Sequence, residues 1–327
     1  MSSEADRFLE ALAALDPAAA SRILADDPDL AADGFLAACG AGDADRVAEA
    51  LAAGADANAS TSWEEDGETS TLSALFYACV ADRPEIVALL LEHGADPDDL
   101  EAFAHGAQLG RIECLELMLE HGTDPDLGRA DGRSVYVAAV RCGRRDVAEL
   151  LRAHGAKARV RPVDELIGAC MRGDAAEARA LIDAHPHALA SLDDEDRGAL
   201  SQAVFERRAP AIALMVSLGF DPTWEGPWGG TPLHHAAWLG DPDLVRLLLD
   251  LGAPVDARDS RFGSSPIGWA AHGSAHGRGD AADHPAVVEA LLDAGATRPP
   301  SINRSGEPPE ALASAPVAAV LERRGFS

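Results

Sequence analysis

Apolar residues recur at helical spacing along this chain, in short runs that end near a glycine. The clearest example is residues 229–257, GGTPLHHAAWLGDPDLVRLLLDLGAPVDA. Thr231 can cap a helix that begins at Pro232, and Asp241 followed by Pro242 repeats this arrangement further along. The second helix has one apolar face, formed by Leu244, Val245, Leu247, Leu248 and Leu251. The segment therefore predicts two short helices joined by a turn.

The same pattern repeats along the chain, as helices of this length require. A helix of about two or three turns is unstable alone in water, so its apolar face must pack on a neighbour. Leucine-rich segments end in a glycine at Gly54, Gly94, Gly122, Gly155, Gly219, Gly252 and Gly295. Two intervals, Gly122 to Gly155 and Gly219 to Gly252, are 33 residues long. This period predicts a stack of similar helical hairpins.

The 33-residue period, together with TPLHHAA and the GAD that ends two segments, resembles the ankyrin repeat family. The resemblance covers nearly the whole chain and implies an all-α solenoid of helix-turn-helix units with short hairpin-like loops. We predict about eight repeats in residues 33–297, a divergent capping helix pair in 1–32 and a truncated capping unit in 298–327. Insertions near 60–71 and 272–284 either extend a binding face or are tolerated surface loops.

Two adjacent histidines, His234 and His235, raise the question of catalysis. His234 matches the histidine of the family's TPLH motif, and the resemblance implies a structural role in bridging backbone groups of neighbouring repeats. His235 falls where other repeats carry Tyr77, Ala138 and Trp269, a position of variable packing. The sequence has no Walker, HExxH or GxSxG motif. We therefore predict no catalytic residues and no enzymatic activity.

The segment 272–284, HGSAHGRGDAADH, is the strongest candidate for a metal site. Its possible ligands for zinc or another divalent ion are His272, His276, Asp280, Asp283 and His284. Its glycines make the segment costly to order around an ion. We predict neither a metal nor a cofactor, and a metal-dependent activity here is the first alternative function.

Composition and charge restrict the possible partners. Hydrophobic residues make up 47% of the chain but aromatic residues only 5%, so the core must consist of small aliphatic side chains, which suits closely packed short helices. The net charge of −28 repels nucleic acid and anionic membranes over most of the surface. We therefore expect the partner to be another protein.

Cysteine usage and the lack of long apolar runs indicate where the protein works. Five cysteines without regular spacing form neither a disulfide framework nor a CxxC metal site, so reduced thiols are expected, with Cys142 the one that reagents reach. No apolar run approaches the roughly 18 residues that span a bilayer, and the first residues are acidic where a secretory signal is basic. We expect a cytoplasmic, monomeric protein, and a composition with Lys157 as its single lysine suggests a bacterial source.

In the ankyrin repeat family, partners are held by variable residues near the hairpin glycine and by the two residues after the paired alanines of the first helix. In this chain the second set becomes larger and more aromatic towards the C-terminus. The residues predicted to contact a partner are Phe205, Glu206, Trp228, Trp238, Leu239, Arg261, Phe262, Arg133 and Arg141. Packing between hairpins is the alternative for the tryptophans, and we favour it for Trp224.

Residues 129–161 form a basic strip in an otherwise acidic chain. The strip has nine basic and three acidic residues, while the rest of the chain has 18 basic and 52 acidic residues. Because Arg133 and Arg141 map to groove positions, the strip could face an acidic peptide, a phosphate group or a carboxylate. Equally, its arginines could pair with the protein's own acids. Binding of an anion or nucleic acid here is the second alternative function.

The sequence thus predicts a non-catalytic module for protein–protein interaction. It would act as an adaptor, scaffold or inhibitor and hold its partner in the concave groove and at the hairpin tips, with little change in its own structure.

Overall fold

The computed structural model describes residues 3–14, 16–65, 68–128, 133–226, 229–276, 283–297, 306 and 308–325. Most of these residues lie in short helices joined by tight turns, and the prediction of an all-α fold of stacked helix-turn-helix units is confirmed. The chain divides into two compact units, Met1–Val160 and Arg161–Ser327, and each unit has its own hydrophobic core.

The first unit stacks its helices in two rows. In chain order the helices are α1 (Glu4–Ala13), α2 (Pro17–Asp26), α3 (Phe35–Ala41), α4 (Ala44–Ala52), α5 (Ala74–Val80), α6 (Pro84–Glu92), α7 (Leu100–Leu109), α8 (Ile112–Glu120), α9 (Val135–Arg141) and α10 (Arg145–Ala153). A 3-10 helix, Pro28–Asp33, follows α2. Helices α3, α5, α7 and α9 pack on one another in order, and so do α4, α6, α8 and α10.

The second unit repeats this arrangement. Its helices are α11 (Pro162–Met171), α12 (Ala175–Ala184), α13 (Asp194–Phe205), α14 (Ala209–Leu218), α15 (Pro232–Trp238), α16 (Pro242–Asp250), α17 (Pro266–His276), α18 (His284–Asp293), α19 (Pro309–Leu312) and α20 (Ala315–Arg323). A 3-10 helix, Leu189–Ser191, precedes α13. Helices α11, α13, α15 and α17 form one row, and α14, α16, α18 and α20 the other. Among the described residues of both units, no helix is long and apolar enough to cross a membrane.

The local signals in residues 229–257 act as the sequence predicts. Helix α15 begins at Pro232 and α16 begins at Pro242. The Asp241 carboxylate caps α16 by accepting a hydrogen bond from the Leu244 N–H at 3.1 Å. Gly252 follows α16 with a φ of 89°, a left-handed conformation that favours glycine.

The insertion at 60–71 forms a β-hairpin within the otherwise helical first unit. Strand β1 (Ser60–Glu65) pairs with β2 (Glu68–Ser73) in an antiparallel register that places Ser60 opposite Ser73. This segment has three threonines and one tryptophan, and both residue types favour extended strands. Counting residues against the repeat period gives the length of the insertion but not its conformation.

A repeated arginine links successive repeats, a feature that the sequence analysis missed. Each arginine precedes the second helix of its repeat and donates to a carbonyl near the end of the previous repeat's first helix. The pairs are Arg83 with Gly40, Arg111 with Val80, Arg144 with Gln108, and Arg208 with Met171, at 2.9–3.4 Å. Carbonyls at a helix end have no donor within the helix, so these arginines supply hydrogen bonds that the carbonyls would otherwise lack.

Replacing Arg144 with methionine should lower the free energy of unfolding by about 1–2 kcal/mol, because the Gln108 carbonyl loses a charged donor at 2.9 Å. Urea unfolding followed by circular dichroism measures this change. Arg145→Met, at the exposed neighbouring position, is the control and should change stability by less than about 0.5 kcal/mol. Equal losses in the two variants would contradict the proposed link.

Candidate functional site

Six aromatic side chains of the second unit contact one another and form the feature that we call the ring surface. They are Phe205, His235, Trp238, Phe262, Trp269 and His272. The centroid distances are 4.8 Å for Phe205–His235, 5.7 Å for His235–Trp269, 6.3 Å for Trp269–Trp238, 5.5 Å for Trp238–His272 and 6.3 Å for Phe262–Trp269. The rings come from α13, α15, α17 and the loop before α17. Equivalent positions of successive first helices meet because these helices stack side by side.

Two of these rings are open to solvent. Phe205 is 38% exposed and Phe262 is 47% exposed, and they are the only exposed large hydrophobic residues among the side chains that the structure describes. Trp238 and His272 are half-buried, while His235 is buried. The ring surface therefore combines a packed base with exposed aromatic edges.

A buried carboxylate holds the loop that carries Phe262. Asp259 accepts hydrogen bonds from the Phe262 N–H at 2.5 Å, from the Ser264 N–H at 2.7 Å and from the Trp269 Nε1–H at 3.1 Å. The Arg261 guanidinium lies over the Phe262 ring, with its Cζ atom 5.2 Å from the centroid. Asp259 thus fixes the loop and the Trp269 indole together. The sequence analysis missed Asp259 altogether and treated Trp269 only as a packing residue.

His234 has the structural role that the resemblance implies. Its Nδ1 atom lies 3.2 Å from the Thr231 N–H and 2.9 Å from the Thr231 hydroxyl, both of which can donate to it. Its Nε2 lies 3.2 Å from the Ser264 carbonyl of the next repeat, which fixes the proton on Nε2. Burial is the main cause that lowers the pKa of His234. The ring is thus a neutral bridge between repeats.

His235 is also neutral at ordinary pH. Its ring is 1% exposed and contacts those of Phe205 and Trp269. Burial, followed by the nearby His234, lowers the pKa of His235 to about 4. It therefore forms part of the packed base of the ring surface.

The predicted contact residues of the second unit have different environments. Phe205, Trp238, Arg261 and Phe262 lie at the ring surface, and Trp228 lies outside the described residues. Glu206 and Leu239 form hydrogen bonds or ion pairs with neighbouring residues of the same unit. The Glu206 carboxylate pairs with Arg208 at 2.6 Å and accepts a bond from Gln202 at 2.9 Å. The half-buried Leu239 accepts a bond from Arg207 through its carbonyl, at 3.2 Å.

Arg141, predicted at a groove position, has little surface to offer a partner. It lies at the end of α9 and is only 7% exposed. Arg133 is half-buried in the same unit. Both residues belong to the first unit, whereas the ring surface belongs to the second.

The expectation that reagents reach Cys142 is also wrong. All five cysteines are buried and are free thiols, and Cys142 is 8% exposed. Burial raises the pKa of Cys39 and of Cys170 to about 12, which keeps these thiols protonated.

Much of the basic strip binds the protein itself. Arg144 donates to a backbone carbonyl, and Arg152 donates to the Tyr136 hydroxyl at 2.5 Å and 3.2 Å while lying over its ring. Lys157 and Arg159 are exposed, and Arg129 lies outside the described residues. Arg144 and Arg152 are therefore held by the protein itself, through a carbonyl and a tyrosine and not through acids.

Arg161, the last residue of the strip, joins the starts of α11 and α13. One of its amino groups donates to Asp164 at 2.8 Å and to Asp196 at 2.7 Å, and the other to Asp193 at 3.2 Å. Asp164 and Asp196 are almost fully buried. Hydrogen bonding to Asp164 is the main cause that raises the pKa of Arg161. This ion cluster is therefore part of the fold.

The histidine-rich segment differs from the predicted loop. Residues 272–276 complete helix α17, where the His272 and His276 rings stack at 4.3 Å, and residues 277–282, with Asp280, lie outside the described residues. His284 Nε2 lies 3.0 Å from the Trp238 carbonyl. No group of three or more histidine, cysteine or acidic side chains in the described ranges is placed to hold a metal ion.

Two segments of the chain match a family of known proteins. The ankyrin repeat family model matches residues 72–101 and 228–260. Protein PhlB of Serratia liquefaciens is 35% identical over 68 residues, which are 21% of this chain and 30% of that protein. Protein phosphatase 1 regulatory subunit 27 of Homo sapiens is 34% identical over 86 residues, which are 26% of this chain and 56% of that protein. The chain thus spans only part of each relative.

Two solved structures of ankyrin repeat domains are similar to this chain. The human ASB11 domain is 21% identical with a TM-score of 0.36, and the match covers 77% of this chain and 97% of that domain. The Bcl-3 domain is 23% identical with a TM-score of 0.41, and the match covers 70% of this chain and 99% of that domain.

Proposed function

We propose that this chain, two segments of which match the ankyrin repeat family, is a non-catalytic adaptor, scaffold or inhibitor that holds another protein at its ring surface. The relatives support the general role, since one of them is named as a regulatory subunit of a phosphatase. The ring surface is the site that the geometry supports best.

The observation that carries this proposal is the exposure of Phe205 and Phe262. Both rings belong to the ring surface, and no other large hydrophobic residue is exposed among the side chains that the structure describes. Aromatic side chains and arginine are enriched at protein interfaces, and an aromatic ring buries a large area with few torsions to order. The half-buried Trp238 and the exposed Arg261 add the same chemistry beside them.

The surface is also held in place before a partner arrives. Asp259 fixes the Phe262 backbone and the Trp269 indole, and the His234 bridge fixes α15 against the next repeat. A fixed surface loses little conformational entropy on binding, so more of the contact energy contributes to affinity.

We also propose the repeat boundaries that the sequence predicts, with eight repeats in 33–297 between capping units at 1–32 and 298–327. The helical pairs from α3 and α4 to α17 and α18 support them, and so do the two family matches. We further propose a monomer that works in the bacterial cytoplasm, since a charge of −28 makes copies of the chain repel one another.

The test is affinity capture from an extract of the cells that make the protein, with the wild type and a Phe205→Ser/Phe262→Ser variant as baits. Both substitutions are at exposed positions, so the fold should be retained and circular dichroism checks it. We expect the variant to capture at least about tenfold less of a partner that the wild type captures, since two hot-spot rings are lost.

The matched control is Arg246→Ser/Asp250→Ser, which changes two exposed residues of α16 in the same unit. It should capture the partner as the wild type does. If the ring variant captures the same proteins in the same amounts as the wild type, the ring surface is not the binding site.

A further inference from the structure

We propose that the ring surface binds a positively charged segment of its partner, in which arginine or lysine alternates with apolar residues. This inference rests on the proposed function and adds the chemistry of the partner to it. Three observations lead to it: the charge of the whole chain, the pairing of the charges beside the rings, and the way in which the protein's own arginines lie on rings.

The charge of this chain favours a partner segment of positive charge. The net charge is −28, and the second unit alone has 24 acidic and 14 basic residues. A field of this sign attracts cationic segments and repels acidic ones within about a Debye length, which is roughly 8–10 Å at physiological salt. A basic segment therefore reaches this unit faster than an acidic one.

The two arginines that follow Phe205 closely in the chain do not oppose such a segment. Arg207 forms an ion pair with Asp241, and Arg208 forms one with Glu206 at 2.6 Å. These pairs leave the rim of the ring surface close to neutral at Phe205, inside a unit that is acidic as a whole. A partner's cation meets aromatic faces there and no local excess of positive charge.

The protein already uses its rings to hold cations. Arg261 lies over Phe262 with its Cζ 5.2 Å from the centroid, and Arg152 of the first unit lies over Tyr136 at 5.7 Å. Both distances are within the roughly 6 Å at which the negative face of a ring attracts a cation. Phe205 and Trp238 offer the same kind of face, and Trp is the strongest of these acceptors.

The test uses three 12-residue peptides added to the full chain, with binding followed by fluorescence anisotropy. The first is four repeats of Gly-Leu-Arg; the second has citrulline, the neutral isostere, at each arginine; the third has glutamate there. We expect the arginine peptide to bind at least about tenfold more tightly than the citrulline peptide and the glutamate peptide to bind weakest. Raising the salt concentration should reduce the difference in affinity between the arginine peptide and the other two peptides.

A variant of the ring surface tests whether the preference for arginine arises there. Phe205→Leu/Phe262→Leu keeps apolar bulk but removes the ring faces, so it should weaken the arginine peptide about fivefold or more and leave the citrulline peptide nearly unchanged. Arg246→Ser/Asp250→Ser on α16 should change the affinity of neither peptide.

Equal binding of the arginine and citrulline peptides, or no binding of the arginine peptide up to about 1 mM, overturns the proposal of a basic partner segment. Either result leaves the proposed function, capture of a protein at the ring surface, unaffected. An arginine preference that the ring variant does not alter overturns the ring surface as its site.

Discussion

Replacing Arg161 with leucine is expected to lower the free energy of unfolding of the second unit by about 3 kcal/mol. Arg161 is the shared partner of Asp164 and Asp196, and without it two almost fully buried carboxylates lose their cation. We expect the lower end of the range for a broken buried ion pair, because the Arg161 side chain is itself 38% exposed.

Tryptophan fluorescence during urea unfolding measures this loss. Four of the five tryptophans lie in the second unit, so the signal reports mainly on that unit. Arg159→Leu, which changes an exposed arginine two positions away, is the control and should cost less than about 0.5 kcal/mol. A loss below about 1 kcal/mol for Arg161→Leu would mean that the cluster behaves as a surface ion pair.

The second unit should lose stability on mild acidification because of His235. Burial and the nearby His234 lower the pKa of His235 from its ordinary value of 6.5 to about 4. The unfolded chain therefore takes up this proton at a higher pH than the folded chain does. The stabilisation is fully present above pH 6.5 and is lost as the pH falls towards 4, with about 2 kcal/mol lost between pH 7 and pH 5.

The variant His235→Tyr removes this titration, and tyrosine already fills the equivalent buried position at Tyr77. Urea unfolding at pH 7 and at pH 5 gives the loss in the free energy of unfolding for the wild type and for the variant. Any effect of the substitution that does not depend on pH cancels when the two losses are compared. The wild type should lose about 2 kcal/mol more than the variant, which keeps the smaller contribution of His234. Equal losses would show that the protonation of His235 is not coupled to folding.

Local sequence signals predicted the helical repeats well. The proline starts at Pro232 and Pro242 and the left-handed glycine at Gly252 act within a few residues, so one sequence suffices to recognise them. The β-hairpin at 60–71 was missed because the repeat period counts inserted residues without stating their conformation.

The ring surface was predicted only in part, for a different physical reason. Phe205, Trp238, Arg261 and Phe262 follow from the family's contact positions, but Asp259 acts through a loop whose closure depends on the Trp269 indole of the next helix. Arg141 shows the opposite case, since its place in the repeat predicts a groove residue while only 7% of it is exposed. Contacts that join separate elements and the direction of a long side chain depend on packing, which the periodicity of a single sequence does not show.

Site-specific photocrosslinking tests the central claim, that the ring surface is where a partner binds, most directly. Benzoylphenylalanine placed at Phe205 or at Phe262 in the full chain, and irradiated in the cell extract, should yield the same crosslinked protein from both positions. The same probe at Arg246 or Asp250, exposed on α16, should yield none of it. Crosslinks that form equally at the α16 positions, or only there, would contradict the assignment of the binding site.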